Sequence, residues 1–239
     1  MNAQLREQLL IGGAALLLAA AIVAVFIHAP TERVMGLVQK IFYFHLSSAL
    51  AAFLSFTTAF AAGVAYLVSR DLKWDILGSA AVEIGLVFTT LVLVTGMLWG
   101  RPVWNAWWTW DPRLTTSLIL WFIFASYFIL RSAVEQRQRR ATYCAVMAIA
   151  GFVDVPIVFL SARLWRSIHP VVITTGSISM APAMVTALLV SMAAFTALWG
   201  LLLHQRCRTL VLGERIRFLE MRLDRNNPAA PVTGLNASI

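Results

Sequence analysis

Trp99-Gly-Arg-Pro-Val-Trp-Asn-Ala-Trp-Trp-Thr-Trp-Asp-Pro-Arg113 joins two apolar runs, roughly 76–98 before it and 114–130 after it. Each run is close to the length, about twenty residues, that a helix needs to cross a hydrocarbon core. The stretch between them holds Trp99, Trp104, Trp107, Trp108 and Trp110, five of the chain's nine tryptophans. Tryptophan favours the membrane–water boundary, where one side of the ring is apolar and the other wet. Trp74, Trp121, Trp165 and Trp199 need no more than that, but five within twelve residues exceed an interface belt. The stretch therefore reads as an aromatic surface at a membrane boundary, held between two spanning helices.

The rest of the chain repeats the pattern of its flanks. Four further apolar runs fall at about 9–27, 46–68, 141–161 and 181–203. Of the 239 residues, 60% are hydrophobic and 13% charged, and the mean hydropathy is +0.78. A water-soluble domain carries about 25% charged residues and has no means of hiding so much apolar surface. Backbone groups in lipid must be satisfied within their own segment, so each run is expected to be a helix. The fold class is all-α: a polytopic membrane protein with six transmembrane helices. The first run is preceded only by Arg6 and followed by no clear small-x-small cleavage site, so it reads as a retained span.

Six spans put both termini on one side. That side carries Arg6, Arg70, Lys73, Arg131, Arg137, Arg139, Arg140 and six tail arginines, 13 in all; the other carries Arg33, Lys40, Arg101, Arg113, Arg163 and Arg166, 6 in all. Cationic loops stay inside, so both termini are expected in the cytoplasm and the tryptophan stretch on the external face. The net charge of +8 follows from those loops and does not indicate nucleic acid. Residues 1–204 form one six-helix domain with its external loop at about 99–113. Residues 205–239 form a basic cytoplasmic tail. Within it, 208–225 mixes basic and apolar positions at helical spacing, which suits a membrane surface or a partner subunit. The stretch from Asn226, with Pro228, Pro231 and Gly234, is expected to be disordered.

Some chemistries are excluded. Cys144 and Cys207 form no CxxC or CxxCH, which removes covalent c-type haem and thiol–disulfide exchange, and both are expected to be reduced. No Gly-Lys dipeptide occurs, so there is no Walker A loop and any ATP dependence belongs to a partner.

Four histidines remain. His28 and His204 end spans one and six. His45, in Lys40-Ile-Phe-Tyr-Phe-His45, lies at the external mouth of span two behind the aromatic patch Phe42, Tyr43 and Phe44. His169, in Arg163-Leu-Trp-Arg166-Ser-Ile-His169-Pro170, lies in the loop between spans five and six, on the same expected face. Two neutral imidazoles from separate segments can bind one iron from opposite faces of a planar macrocycle. Aromatic rings stack on a porphyrin, and Arg or Lys meets its propionates. All three ingredients share one face, with Arg113 and Arg166 among the nearby cations. If 103–111 is a short helix, Trp104, Trp107, Trp108 and Asp111 share a side at i, i+3, i+4 and i+7; if it is extended, Trp104, Trp108 and Trp110 do. Asp111-Pro112 also has the form of a helix start, with Asp as N-cap and Pro at the first position. Glu83 in span three and Asp154 in span five are intramembrane ionisable groups, and Pro156 is expected to kink span five.

The residues Trp99-Gly, Trp104 and Trp107-Trp108-Thr-Trp110-Asp111-Pro-Arg-Leu-Thr resemble the tryptophan-rich "WWD" signature of the haem-handling proteins of cytochrome c maturation. Length and span number resemble the CcmC branch, the CcmF and CcsA branches being larger. Asp111-Pro-Arg-Leu-Thr is also CcmC-like, where CcsA-type proteins tend to read Asp-Pro-Lys-Glu-Thr. The resemblance covers nearly the whole chain, except the basic tail. It implies a multi-pass protein of the bacterial inner membrane that binds haem b non-covalently on its periplasmic side. His45 and His169 match the axial ligands, and Trp104, Trp107, Trp108, Trp110 and Asp111 match the signature. The implied partners are CcmA- and CcmB-type ABC transporter subunits, a small CcmD-type subunit and a CcmE-type haem chaperone. No enzyme activity is implied. Two other functions fit parts of the pattern: a membrane haem lyase or b-type haem carrier, and a permease subunit working through Glu83 and Asp154 with no haem site of its own.

Overall fold

The computed structural model describes residues 3–169, 173–174, 177–178 and 180–226. Among the described residues six helical segments are long and apolar enough to cross a membrane: Gln4–His28, Leu37–Ser69, Leu72–Trp104, Pro112–Ala133, Arg137–Leu164 and Pro182–Leu223. They correspond one for one to the six expected runs. In chain order the helices are α1 (Ala3–Val23), α2 (Ile41–Ser69), α3 (Leu72–Trp104), α4 (Pro112–Ala133), α5 (Arg137–Phe152), α6 (Asp154–Leu164) and α7 (Pro182–Asn226). A single π-turn, Ala24–His28, extends α1, and a 3-10 turn, Leu37–Lys40, leads into α2. Among the described residues the only strands are Ile173–Thr174 and Ser177–Ile178, which pair antiparallel.

Local chemistry sets the helix ends. Asp71 caps α3, accepting from the Lys73 N–H at 3.0 Å, and Arg70 ends α2 in the left-handed region. Asp111 caps α4 with Pro112 at its first position, as expected. Span five is broken at Val153. Pro156 has no N–H for the Phe152 carbonyl, and the Val153 N–H closes a tight turn on Ala150 instead. Between α1 and α2 the Glu32 carboxylate accepts from the Met35 and Val34 N–H groups, which holds its pKa below the usual carboxylate range.

The packing is that of small residues in a membrane. α2 and α3 pack against each other and bury small residues on both, Ala51, Ala52, Ser55, Ala59 and Ala62 on α2 and Ala80, Ala81, Val82 and Gly85 on α3, with Ala59 and Ala62 close to Gly78. Phe56 fills the centre, stacked on Phe124 of α4 at 3.9 Å. There is no room for more: a Cβ at Gly85 would meet the Phe56 ring at 2.6 Å. Gly85→Ala is therefore expected to destabilise the protein by about 1–3 kcal/mol, read as a lowered midpoint of thermal unfolding in detergent. An unchanged midpoint would contradict this packing.

Polar contacts tie the end opposite the tryptophan stretch. Asp75 of α3 and Arg131 of α4 form a bidentate pair at 2.7 and 2.9 Å. Arg206 of α7 pairs with Glu83 at 2.7 Å, Arg208 with Glu7, and Arg137 with Glu214. Glu83 is thus bound to a helix partner. α7 runs unbroken from the sixth span through residues 205–226, so part of the basic tail is a continuation of that span. The disorder expected beyond Asn226 concerns residues 227–239, which lie outside the described residues.

Candidate functional site

At the tryptophan end one cavity of about 460 Å³ opens between α2, α3, α4, α6 and the segment after α6. That volume lies within the range of small-molecule and cofactor sites, about 300–1,000 Å³. His45, His169, Trp99, Trp104, Trp108, Arg113 and Arg163 line its polar end; Phe56, Leu120, Val155 and Val158 line its apolar depth. Both candidate histidines thus face one space, from segments 124 residues apart in number but adjacent in the fold.

His45 stands in the second turn of α2, because the helix begins at Ile41, ahead of the expected run. Its Nδ1 lies 2.9 Å from the Thr95 hydroxyl of α3. Gly96 beside it leaves space for the ring: a Cβ there would sit 3.4 Å from His45 Cε1. His169 lies beyond α6 in irregular backbone, which needs other supports. The Asp111 carboxylate, itself buried, provides them by accepting from Ser167 Oγ at 3.0 Å and the Ile168 N–H at 2.9 Å. The His169 N–H in turn donates to Ser167 Oγ at 3.1 Å. Asp111 caps α4 through the Arg113 N–H with the same group. It is thus the rivet joining the tryptophan loop, α4 and the His169 segment.

The tryptophans do not form one platform. α3 continues through Pro102 to Trp104 and stops at Asn105, which takes the left-handed conformation. Residues 106–111 are neither helix nor strand, so neither expected geometry for 103–111 holds. Trp99 and Trp104 meet edge to face at 5.2 Å on the end of α3, and Trp104 lies 6.4 Å from the His169 ring. Gly100 makes this possible, since a Cβ there would press the Trp104 ring at 3.0 Å. Trp108 lines the cavity and meets Trp110 edge to face at 5.9 Å. Trp107 and Trp110 are 57% and 77% exposed and lie outside the lining; Arg101 sits over Trp107. Asp111 and Arg166 are also outside the lining, Asp111 buried behind it and Arg166 exposed.

Arg113 enters the cavity on the first turn of α4. Its Nη2 donates to the Phe159 carbonyl at 3.0 Å and its Nη1 lies 3.3 Å from His169 Nδ1. Lys40, by contrast, turns away and donates to the Phe26 carbonyl at 3.1 Å. Among the described residues three donors around the cavity are buried without a protein acceptor: Trp99 Nε1, Trp108 Nε1 and Arg113 Nε. Buried donors are nearly always paired, so these suit a ligand with anionic or carbonyl oxygens. Thr95, Gly96 and Ser167 were not singled out by the sequence, and Trp99 and Arg163 were named there without a place among the site residues. The first two lie inside an apolar run and had only their polarity and size to mark them.

Fold and cavity together define a class: a helical membrane protein with six spans among the described residues and a cavity that combines two histidines, an arginine and an indole wall. Comparison with known proteins is more specific. The family model described as "Heme exporter protein C" (CcmC) matches residues 2–222. Heme exporter protein C of Bradyrhizobium diazoefficiens is 34% identical over 195 residues, 81% of this chain and 74% of the relative. That of Escherichia coli K12 is 32% identical over 184 residues, 77% and 75% respectively. A putative cytochrome c biosynthesis ccmC-like mitochondrial protein of Marchantia polymorpha is 29% identical over 206 residues, 86% and 88%. The chain belongs to the Heme exporter protein C family.

Proposed function

We propose that the cavity is a haem site and that the protein presents haem at the periplasmic face of the bacterial inner membrane for transfer to a chaperone. Family membership makes the chain a haem-related membrane component of cytochrome c maturation. The observation that carries the finer proposal is the convergence of His45 and His169, from two separate segments, on one cavity that also holds buried indole and guanidinium donors with no partner among the described residues.

The geometry supports the following roles. His45 and His169 ligate the iron of haem b. Trp99, Trp104 and Trp108 wall the macrocycle, and Arg113, Arg163 and the two indole N–H groups receive the propionates as charge-assisted or neutral donors. Asp111 acts through the His169 segment it fastens. Trp107, Trp110 and Arg166 form the exposed rim that an acceptor meets first. Haem leaves unchanged, so the step is delivery and not catalysis. The acceptor is a CcmE-type chaperone, and CcmA-, CcmB- and CcmD-type subunits complete the assembly in the membrane. Residues 1–204 are the haem-handling domain, residues 205–239 a basic cytoplasmic tail, and both termini face the cytoplasm by the charge asymmetry of the loops. Of the two carboxylates of the permease reading, Glu83 is paired with Arg206, while Asp154 has a buried oxygen with no partner among the described residues.

The test is an absorption spectrum of the purified protein with added haem, before and after mixing with the soluble domain of a CcmE-type chaperone. A low-spin, six-coordinate Soret band that moves to the chaperone is expected. The absence of a defined complex would refute the haem site, and a complex that never transfers would refute delivery.

A further inference from the structure

The two histidines are held in opposite ways. A neutral imidazole has one N–H and one lone pair, so the partner of one nitrogen decides what the other can do. Thr95 Oγ1 lies 2.5 Å from the Leu91 carbonyl. Two oxygens approach that closely only with a proton between them, and a carbonyl has none to give. The Thr95 proton is therefore committed to Leu91, and its oxygen accepts from His45 Nδ1–H at 2.9 Å. His45 Nε2 is left as the nitrogen with the lone pair, in a ring whose Nδ1–Cε1 edge rests against Gly96. His169 faces a different partner. Arg113 Nη1, 3.3 Å from its Nδ1, can only donate. While that contact stands, the lone pair of His169 is directed at the guanidinium, and the ring proton is on Nε2.

We propose that the pair is unequal: Thr95 fixes His45 as the standing iron ligand, while Arg113 competes with the iron for His169 and makes it the exchangeable one. Thr95 is a positioning residue, acting through the ring it contacts, while Arg113 acts on His169 through Nη1 besides meeting the propionates. This rests on the haem-site proposal above and adds an order to it. His45 keeps the haem in the cavity, and His169 opens the coordination position through which an acceptor's own ligand takes hold. His169 stands in irregular backbone beyond α6 that Asp111 holds through Ser167 and Ile168, which suits the exchangeable ligand, whereas His45 is built into a helix.

The test uses the full chain loaded with haem in detergent. His169→Ala is expected to keep its haem and become five-coordinate and high-spin, while His45→Ala loses affinity by at least about tenfold, the usual scale of a broken ligand environment. Thr95→Val is expected to weaken haem binding by about tenfold, and Thr95→Ser to restore it. In the reduced protein carbon monoxide displaces the weaker axial ligand; Arg113→Met is expected to slow that displacement, because His169 is no longer drawn away. Equal loss of haem in the two alanine variants, or faster displacement in Arg113→Met, would overturn the inequality while leaving the site in place. If neither alanine variant changed haem content or spectrum, the haem site itself would be wrong and this proposal with it.

Discussion

Replacing Asp75 with alanine is expected to lower the stability of the protein by about 3–5 kcal/mol, the cost of leaving one partner of a buried ion pair uncompensated. The Asp75 side chain is 3% exposed and that of Arg131 19%, and both oxygens of the acid meet the guanidinium. The alanine variant strands a cation among Tyr127, Cys144 and apolar side chains. Removing both charges is a different matter. An Asp75→Leu/Arg131→Met double variant eliminates the burial cost along with the attraction, and such replacements are commonly neutral or better. Thermal unfolding in detergent distinguishes the cases: a large drop for the single variant and recovery in the double. Equal destabilisation of both would mean that the pair contributes shape and not charge. Because the clamp lies at the far end of α3 and α4 from the cavity, the double variant is expected to bind haem normally.

The second large effect is functional. Asp111→Ala is expected to lower haem affinity by about 10–100-fold, the range measured when a group supporting a metal ligand is lost. It removes the acceptor for Ser167 Oγ, the Ile168 N–H and the Arg113 N–H in one step. Helix content should hold, since the six spans do not depend on it. Hydrogen exchange should rise at 165–169, where the backbone has no helix to protect it. Asp111→Asn keeps a competent N-cap but turns an N–H₂ toward a donor, so an intermediate loss is expected. Unchanged exchange at 165–169 together with lost haem would show that Asp111 acts on the haem directly and not through His169.

The spans were legible in the sequence because length, hydropathy and the ban on unpaired backbone in lipid leave little choice. Asp111-Pro112 gave the start of α4, and Pro156 the break in span five, since both act within one turn. The tryptophan stretch was less legible. Its composition marked a boundary, but periodicity does not say where α3 ends, and the end at Asn105 divides the indoles into an inner set (Trp99, Trp104, Trp108) and an outer one (Trp107, Trp110). The supports of the site were not legible at all. His45 with Thr95 and Asp111 with Ser167 are joined across 50 and 56 residues. Thr and Ser in such segments usually bond to their own helix, as Thr89 and Ser117 do here.

The most direct test of the haem cavity is the haem content and Soret spectrum of the purified His45→Ala/His169→Ala double variant. Loss of haem and of the low-spin band, with helix content unchanged by circular dichroism, is the predicted result. A double variant with the haem content and Soret band of the unaltered protein would contradict the assignment.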